Sequence, residues 1–234
     1  DHQLILQLKE IKSSGLILFS SGSTGKPKAM IHNLNNLIEN FEAKREKNIT
    51  VLLFLMFDHI GGLNTLFGCL ANRSTIVIPE DRNPEKVCRL IETHKVNVLP
   101  CSPTFLNLIL LGNHHRNAEL LSLRLITYGT EMMPESLLNK LSDEFPKVRF
   151  IQTFGTSETG ISKTTSLTSK STEVNLSDPN IEHKIVNNEL WLKSKMQVLG
   201  YLNASMERFT DDGWFKTGDL VEESENGFLK IVGR

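Results

Sequence analysis

The sequence predicts an α/β fold in which helices flank a mainly parallel sheet, followed by a smaller β-rich subdomain at the C-terminal end. Two patterns support this prediction. Between residues 16 and 153, short apolar runs alternate with stretches of helical periodicity, as in chains that build parallel sheets. Beyond residue 181, short β-prone runs separated by glycines replace that alternation. With 39% hydrophobic and 23% charged residues, the 234-residue chain has the composition of an ordinary globular protein.

The first elements are an N-terminal helix and a strand. Apolar residues at helical spacing over residues 4–11 predict the helix, and Gly15 ends the pattern. The apolar run over residues 16–19 predicts a buried strand. Residues 20–28 are rich in Ser, Gly, Thr and Lys, which predicts a loop. Asn33 is suited to cap the next helix, which we expect to run to about Lys47.

The later strands and helices follow one another in pairs. The predicted strands cover residues 51–55, 74–78, 96–99, 123–127 and 148–153, and helices are predicted from about Gly62 and after Pro84, Pro103 and Pro134. A proline in the first turn of a helix costs no hydrogen bond, because its missing N–H would have no partner there. On a parallel sheet the ligand lies at the carboxyl ends of the strands, so we expect the loop after residue 19 and the loop after residue 153 to be functional.

These patterns divide the chain into three parts. We expect residues 1–160 to form the α/β core, and residues 161–180 to form a polar connecting segment that is a long loop or a boundary. Residues 181–234 form the β-rich subdomain. Its predicted strands cover residues 189–193, 197–202, 214–217 and 227–232.

Charge and cysteine content exclude several classes of function. A net charge of −1 and a pI near 6.7 give no basic surface for nucleic acid, so we expect no nucleic-acid partner. The longest apolar run is far shorter than the roughly 20 residues of a membrane span. Cys69, Cys88 and Cys101 lie far apart and form no CxxC pair, which fits a reducing cytoplasm.

The loop over residues 20–28 has the composition of a phosphate-binding loop. Its sequence is Ser20-Ser21-Gly22-Ser23-Thr24-Gly25-Lys26-Pro27-Lys28. Glycines let backbone N–H groups approach phosphate oxygens, hydroxyls add donors, and lysines supply positive charge. A Walker-type loop is excluded, because Pro27 follows Gly25-Lys26 and Ser20 occupies the place of the earlier glycine. From composition alone, a flexible surface loop remains the alternative.

Four further stretches combine aromatic, glycine, hydroxyl and charged residues. They are Phe57-Asp58-His59-Ile60-Gly61-Gly62, Tyr128-Gly129-Thr130-Glu131, Phe154-Gly155-Thr156-Ser157-Glu158 and Trp214-Phe215-Lys216-Thr217-Gly218-Asp219. Each also has a purely structural interpretation. His59 can be a structural histidine, Glu131 can be favoured near a helix N-terminus by the dipole, Ser157 and Glu158 can form a solvated turn, and Thr-Gly-Asp can form a β-turn.

Together, and in this order, the five stretches resemble the motifs of the adenylate-forming enzymes, which include acyl-CoA synthetases, luciferases and peptide-synthetase adenylation domains. Two positions depart from the family pattern: Ala29 stands where glycine is usual, and Ser157 where threonine is usual. The resemblance covers residues 16–234 and implies specific roles. The phosphates of ATP would be held by Ser20, Ser21, Gly22, Ser23, Thr24, Gly25, Lys26 and Lys28, and adenine would be framed by Gly129, Thr130, Glu131, Phe154 and Gly155. Ser157 and Glu158 would be catalytic, and Glu158 would also bind Mg²⁺. The ribose would be held by Asp219 and Arg234, and His59 would border the acid pocket.

The resemblance implies an enzyme that uses ATP to convert a carboxylic acid to an acyl-adenylate and then transfers the acyl group to CoA or to the phosphopantetheine thiol of an acyl carrier protein. Fatty, aryl and short-chain acids all remain open, with a slight preference for a fatty or other aliphatic acid. We expect the family's C-terminal catalytic domain to be absent, because the chain stops at a segment that resembles the family's hinge. A nucleotide-binding or scaffold module that has lost catalysis is the alternative.

Overall fold

The computed structural model describes residues 2–20, 26–42, 45–168 and 170–234. The helices are α1 (Gln3–Glu10), α2 (Leu34–Glu39), α3 (Ile60–Ala71), α4 (Pro84–Thr93), α5 (Pro103–Leu111) and α6 (Glu135–Glu144), with a 3₁₀ turn at His114–Arg116. The strands are β1 (Gly15–Ser20), β2 (Lys28–Asn33), β3 (Thr50–Leu52), β4 (Thr75–Val77), β5 (Val98–Cys101), β6 (Leu125–Tyr128), β7 (Arg149–Gln152), β8 (Phe154–Thr156), β9 (Gly160–Ser162), β10 (Thr164–Ser166), β11 (Val174–Leu176), β12 (Ile181–Val186), β13 (Glu189–Ser194), β14 (Gly200–Tyr201), β15 (Phe215–Glu223) and β16 (Leu229–Gly233).

A five-stranded parallel sheet forms the centre of the α/β part, in the order β4-β3-β5-β6-β7. Alternate residues of a strand point to opposite faces of its sheet. Leu52 of β3 accordingly packs with α4, α5 and α6 in the larger core, whereas its neighbour Val51 packs with Cys69 of α3 on the other face. Helices therefore cover both faces, and the predicted α/β class is confirmed.

Capping residues and prolines fix where two of these helices begin. The side-chain oxygen of Asn83 accepts from two backbone N–H groups at the start of α4, and that of Ser102 accepts from one at the start of α5. Pro84 and Pro103 follow these caps in the first turn, as the sequence predicted. Pro134 differs, because it occupies the N-cap position itself and α6 begins one residue later.

The β-rich part is a six-stranded sheet in the order β10-β11-β16-β15-β13-β12, and its neighbouring strands pair antiparallel. Asn187 and Asn188 form the two-residue turn between β12 and β13, and both have positive φ. Asparagine tolerates this left-handed conformation better than most residues, and such turns match the twist of a hairpin. The predicted β-rich character of the C-terminal end is therefore confirmed, although the sheet also includes β10 and β11, and the strand predicted over residues 197–202 is only β14, which pairs with β2 in another sheet.

The hairpin that carries the phosphate loop differs from the prediction. The strand over residues 16–19 is not buried: β1 pairs only with β2, in the three-stranded sheet β1-β2-β14, and Phe19 is 59% exposed. An edge strand of an antiparallel sheet has one face on the core, so only Leu18 of β1 is buried. The helix capped by Asn33 is also shorter than predicted, since α2 ends at Glu39.

Residues 161–180 are not a long loop, because strands β10 and β11 lie within them and β9 begins one residue earlier. Each of these strands has three residues, too few to show a period in a stretch of Ser, Thr and Lys. Val174 and Leu176 are nevertheless buried on one side of β11. The division of the chain at residues 160 and 181 remains our proposal.

The two parts share a hydrophobic core. Leu18 and Met30 of the hairpin, Phe154 of β8, and Leu192 and Leu229 of the β-rich sheet belong to one buried cluster. Ion pairs join the parts at the surface, between Lys230 and Glu135 and between Lys170 and Asp143. In the described parts of the chain, no helix is both long and apolar enough to cross a membrane.

Candidate functional site

The stem of the phosphate loop is fixed on its C-terminal side. Ser20 and Lys28 pair at the end of the β1–β2 hairpin. The Asn203 side chain accepts a hydrogen bond from the backbone N–H of Ala29 (2.8 Å) and donates one to the carbonyl oxygen of Pro27 (3.0 Å). Five residues predicted to bind phosphate, Ser21, Gly22, Ser23, Thr24 and Gly25, lie outside the described residues. Lys26 is exposed at the edge of this segment.

Lys28, Tyr201 and Glu158 lie together beside the loop stem. The Lys28 Nζ lies 5.3 Å from the centre of the Tyr201 ring, and the Tyr201 hydroxyl donates a 2.7 Å hydrogen bond to Glu158 Oε1. Burial, and then the Glu158 carboxylate, raise the pKa of Tyr201, so the phenol keeps its proton at neutral pH. A carboxylate has two oxygens, and within the described residues no hydrogen bond or ion pair engages Glu158 Oε2, which leaves it open to a cation. The structure thus places the predicted metal ligand beside Tyr201 and near Lys28, at the base of the predicted phosphate loop.

The loop that carries Ser157 and Glu158 is built around a tight turn. The buried Thr159 donates its backbone N–H to the Thr156 hydroxyl (3.1 Å), and the two threonine hydroxyls lie 2.9 Å apart. Ser157 lies half-buried within this turn. The Glu158 carbonyl oxygen accepts from the backbone N–H of Val198 (2.8 Å). These bonds hold the backbone of Ser157 and Glu158 in place from both sides.

Phe154 is largely buried. Only 7% of the residue is exposed, and it packs in the core shared by the two parts. The adenine contact that the resemblance implies for its ring stays a prediction. Gly155 has a packing reason to be glycine, because a Cβ there would lie 2.3 Å from the Gly160 carbonyl oxygen. Both residues thus position the loop that follows them.

The segment after β6 approaches the same loop. A Cβ on Gly129 would lie 2.5 Å from Thr153 Oγ1, so only glycine lets the two strand ends come this close. Thr130 adopts a positive φ of 69°, which is uncommon for a residue with a branched side chain. Glu131 Oε2 accepts from the backbone N–H of Thr104 (3.1 Å) and from its hydroxyl. The carboxylate therefore lies at the N-terminus of α5, which favours negative charge.

Asp219 lies within β15, at an irregularity of the β13–β15 pairing that is tightly hydrogen-bonded. The buried Thr217 hydroxyl donates to the Leu190 carbonyl oxygen (2.6 Å) and accepts from the backbone N–H of Asp219 (3.0 Å). Gly218 has φ +78° and donates its N–H to Glu189 Oε1 (2.8 Å). A side chain at this position would be strained and would meet a neighbouring guanidinium. The motif therefore fixes where the Asp219 carboxylate points.

Burial dominates the electrostatics of Asp219. Its side chain is 14% exposed, and Arg234 Nε lies 3.4 Å from Oδ1. Burial raises the pKa of the Asp219 carboxyl, while Arg234 and Arg208 lower it; the net shift is upward. The structure thus brings Asp219 and Arg234 together, as the sequence predicted for the ribose end.

Arg208 links the two ends of the site. Its Nη2 donates to the Thr217 carbonyl oxygen (2.8 Å), and its charge lowers the pKa of both Asp219 and Tyr201. A series of ring contacts runs in parallel, from Tyr201 to Phe209 (5.7 Å) and from Phe209 to Phe215 (4.9 Å). The predicted phosphate end at Glu158 and the predicted ribose end at Asp219 are therefore joined by a series of contacts.

Sequence reasoning missed Tyr201, Asn203 and Arg208. Tyr201 and Asn203 act through partners distant in sequence, Glu158 and the loop stem respectively, whereas Arg208 bonds to the nearby Thr217. The three lie outside the five stretches that suggested phosphate or ribose binding. The Gly-Tyr pair at Gly200 and Tyr201 was the only local signal, and it predicts a strand as readily as a site.

His59 lies at the N-cap of α3, with 63% of its side chain exposed and 3.8 Å between Nε2 and Asp58 Oδ1. A Cβ on Gly62 would lie 1.9 Å from the Met56 carbonyl oxygen, so the turn that presents His59 needs glycine. The next residue, Ile60, packs in the same core as Phe154. His59 thus stands on the side of the molecule that carries the loop of Glu158.

A metal ion at this site would depend on the nucleotide. Within the described ranges, no cluster of three or more His, Cys, Asp or Glu side chains is arranged to hold a metal. Mg²⁺ is usually held by one or two carboxylates together with substrate phosphates and water. The free oxygen of Glu158 beside the phosphate loop fits that mode of binding.

Comparison with known proteins identifies the family. Residues 10–202, most of the chain, match the family model described as AMP-binding enzyme. The chain belongs to this family. The matched range includes Lys28, Glu131 and Glu158 and ends before Asp219 and Arg234.

Relatives in plants match nearly the whole chain. "Probable CoA ligase CCL5" from Humulus lupulus is 28% identical over 252 residues, which cover 95% of this chain and 46% of that protein. "4-coumarate--CoA ligase-like 2" from Arabidopsis thaliana is 27% identical, with 93% of this chain and 43% of that protein covered. The chain therefore spans less than half the length of these relatives.

Solved structures share the fold. The luciferase-like enzyme of the nonluminescent mealworm Zophobas morio superposes with a TM-score of 0.77 and 25% identity, covering 93% of this chain and 57% of that one. The amide bond synthetase McbA from Marinactinospora thermotolerans gives a TM-score of 0.79 at 23% identity, covering 93% and 48%. The second likeness establishes the fold alone. Both neighbours agree with the α/β architecture of this AMP-binding chain.

Proposed function

We propose that this AMP-binding protein activates a carboxylic acid with ATP to give an acyl-adenylate. The observation that carries the proposal is the connection between Lys28, Tyr201 and Glu158 at one end and Asp219 with Arg234 at the other, through the ring contacts from Tyr201 to Phe209 and on to Phe215 of β15 and through the charge of Arg208. One end offers cations and a carboxylate to phosphates, and the other offers an aligned carboxylate to a ribose. A nucleoside triphosphate has this combination of groups.

The reaction requires a better leaving group on the acid. A carboxylate oxygen attacks the α-phosphorus of ATP, the new P–O bond forms, and pyrophosphate leaves with the electron pair of the broken bond. Holding the two reactants in line, and stabilising the charge that develops on phosphate, supply most of the catalysis. The acyl-AMP that results has AMP as its leaving group.

The phosphate end would hold and neutralise the triphosphate. Lys26 and Lys28, with Ser20 and the other residues of the 20–28 stretch, would contact the β- and γ-phosphates. Ser157 would donate its hydroxyl to a phosphate oxygen. Glu158 would hold Mg²⁺ through its free oxygen, with the Tyr201 hydroxyl orienting the carboxylate. Mg²⁺, when bound with ATP, neutralises phosphate charge.

The nucleoside end would fix the sugar and the base. The Asp219 carboxylate can accept hydrogen bonds from both ribose hydroxyls, and Arg234 lies beside it. The backbone around Gly129, Thr130 and Gly155 would border adenine. In our proposal Glu131 holds this backbone segment in position, because its carboxylate is hydrogen-bonded to the N-terminus of α5.

The acyl acceptor and the acid are further parts of the proposal. Two relatives carry the name CoA ligase, which supports CoA as the acceptor, and the phosphopantetheine thiol of an acyl carrier protein would offer the same group. We propose a fatty or other aliphatic acid, with His59 beside its pocket.

Three buried free thiols, at Cys69, Cys88 and Cys101, fit a cytoplasmic location.

Adenylate formation by the whole protein tests this function. The protein is incubated with ATP, Mg²⁺ and a panel of aliphatic and aryl acids, and acyl-AMP and pyrophosphate are measured. We expect both products in equal amounts, with at least a tenfold loss in Glu158→Ala, because charged contacts are worth roughly 1.5–3 kcal/mol. Glu85→Ala, an exposed carboxylate on α4, is the matched control and should keep the activity. ATP binding without any adenylate would favour a scaffold module instead.

A further inference from the structure

Arg208 is fixed beside β15, the strand that carries Asp219, by its backbone and its side chain together. Its carbonyl oxygen accepts a hydrogen bond from the backbone N–H of Lys216 (2.8 Å). Its Nη2 donates to the carbonyl oxygen of Thr217 (2.8 Å). The guanidinium also lies over the Phe215 ring, with 5.4 Å between Cζ and the ring centre. These contacts hold the positive charge of Arg208 along the strand of Asp219.

The glycine next to Asp219 makes room for this guanidinium. A Cβ on Gly218 would lie 2.5 Å from Arg208 Nη2, which is closer than two such atoms approach in proteins. The register between β13 and β15 also shifts within this stretch, so the ladder is interrupted there. Arg208 therefore satisfies the Thr217 carbonyl oxygen at the interruption and lies against the backbone that leads into Asp219.

Three charged side chains act on the Asp219 carboxyl, together with its burial. Burial raises the pKa of Asp219, Arg234 and then Arg208 lower it, and Glu189 of β13 raises it. The two cations differ in their surroundings, because the Arg234 side chain is 70% exposed whereas Arg208 is half-buried and hydrogen-bonded to β15. Solvent and salt screen a partly buried charge less than an exposed one. Arg208 is therefore the more firmly fixed of the two counter-charges.

We propose that Arg208 is a positioning residue for the nucleotide, because it holds the backbone before Asp219 and keeps a fixed positive charge near the carboxylate that accepts the ribose hydroxyls. An ionised carboxylate only accepts hydrogen bonds, whereas a protonated one has a donor in place of part of that capacity. Arg208 thus acts through Asp219 and does not itself contact the nucleotide. The inference rests on the proposed function, because it concerns the ribose end of that site.

The pH dependence of adenosine binding tests this role. Calorimetry measures the affinity of the whole protein for adenosine and for adenine from about pH 4.5 to about pH 8. Adenosine affinity should fall as the pH drops through the pKa of Asp219, because the protonated carboxyl is a poorer acceptor. In Arg208→Met the midpoint of this fall should lie about half to one pH unit higher, since a nearby cation favours the ionised form. Below the midpoint, adenosine should therefore bind about three- to tenfold more weakly than to the wild type, and near pH 8 the two proteins should agree within about twofold.

Three further variants separate charge from packing. Arg208→Lys keeps the charge but loses the planar fork, so its midpoint should lie closer to the wild type than to Arg208→Met. Asp219→Asn removes the titrating group, so adding Arg208→Met to it should leave the pH profile unchanged. Lys193→Met, which removes an exposed cation from the same sheet, is the matched control and should keep the wild-type midpoint. Adenine lacks the ribose and should bind to every variant alike, which also shows that each variant is folded.

Three results would overturn the inference while adenine still binds. The pH profile of Arg208→Met could coincide with that of the wild type. Arg208→Lys could match Arg208→Met, which would mean that the hydrogen bond to Thr217 matters and the charge does not. The effect of Arg208→Met could also persist in Asp219→Asn, which would place its action elsewhere. If the wild type bound neither ATP nor adenosine nor adenine, the proposed function itself would be wrong, so the two failures are distinguishable.

Discussion

The hydrogen bond from Tyr201 of β14 to the Glu158 carboxylate holds the side chain of the predicted metal ligand beside the hairpin, so its removal is informative. Tyr201→Phe deletes the hydroxyl and keeps the ring that lies beside Lys28 and Phe209. Hydrogen bonds to charged groups contribute about 1.5–3 kcal/mol when buried. Because Glu158 is only half-buried, we expect a loss near the lower end, about 1–2 kcal/mol in the free energy of unfolding.

A double-mutant cycle isolates this bond from other effects. Urea unfolding is measured for the wild type, Tyr201→Phe, Glu158→Ala and the double variant, and the coupling free energy should be about 1–2 kcal/mol. The affinity for Mg²⁺ with ATP should fall roughly tenfold in Tyr201→Phe, because a residue that orients a ligand tunes metal affinity. Additive effects, with a coupling below about 0.3 kcal/mol, would refute the idea that Tyr201 orients Glu158.

Three further predictions follow from buried or strained groups. His32 is fully buried, and its ring nitrogens have no good hydrogen-bond partner among the described residues. Burial lowers the pKa of His32 from 6.5 to about 4, and the backbone of Met196 opposes this lowering only in part. Since the unfolded chain binds this proton more readily, unfolding free energy should fall by about 2 kcal/mol from pH 7 to pH 5, and His32→Leu should lose that slope. Burial raises the pKa of Asp219, so ionisation of this carboxyl destabilises the fold. Asp219→Asn should therefore have a higher free energy of unfolding than the wild type at pH 7, and this difference should vanish as the pH falls below the ordinary carboxyl range. A difference that stays constant with pH would contradict the prediction. Asn203→Ala breaks the bonds to Ala29 and Pro27 and should weaken ATP binding several-fold while hydrogen exchange rises at the loop stem; Asn226→Ala, in a distant turn, should change neither.

Much of the α/β part could be predicted from sequence because its signals are local. Each strand of the parallel sheet is a short apolar run, and Pro84 and Pro103 mark the helices that follow two of them. Capping and proline effects depend on neighbours within one turn, so they survive the loss of tertiary context.

The errors arose where tertiary context decides. Residues 16–19 are as apolar as a buried strand, yet β1 is an edge strand because only β2 pairs with it. The polar stretch over residues 161–180 contains strands because their neighbours supply the ladder hydrogen bonds and the buried surface. Apolar content alone does not distinguish these cases.

The residues of the candidate site also divide into those that the sequence could select and those that only the fold brings together. Motif residues such as Glu158 and Asp219 could be selected from sequence, because their local stretches resemble family motifs; their roles toward phosphate and ribose stay predictions. Tyr201 and Arg208 could not, since Tyr201 reaches a residue 43 positions away and Arg208 joins two ends that only folding brings together. Phe154 shows the converse, because an aromatic residue in a motif is used for the core.

The central claim is that the phosphate end and the ribose end form one nucleotide site. Calorimetric titration of the wild type, Lys28→Ala and Asp219→Asn with ATP, adenosine and adenine tests it most directly. Lys28→Ala should weaken ATP at least tenfold and leave adenosine unchanged, whereas Asp219→Asn should weaken both ATP and adenosine and leave adenine unchanged. Unaltered ATP affinity in either variant, with the wild type binding, would contradict a single site that spans Lys28 and Asp219.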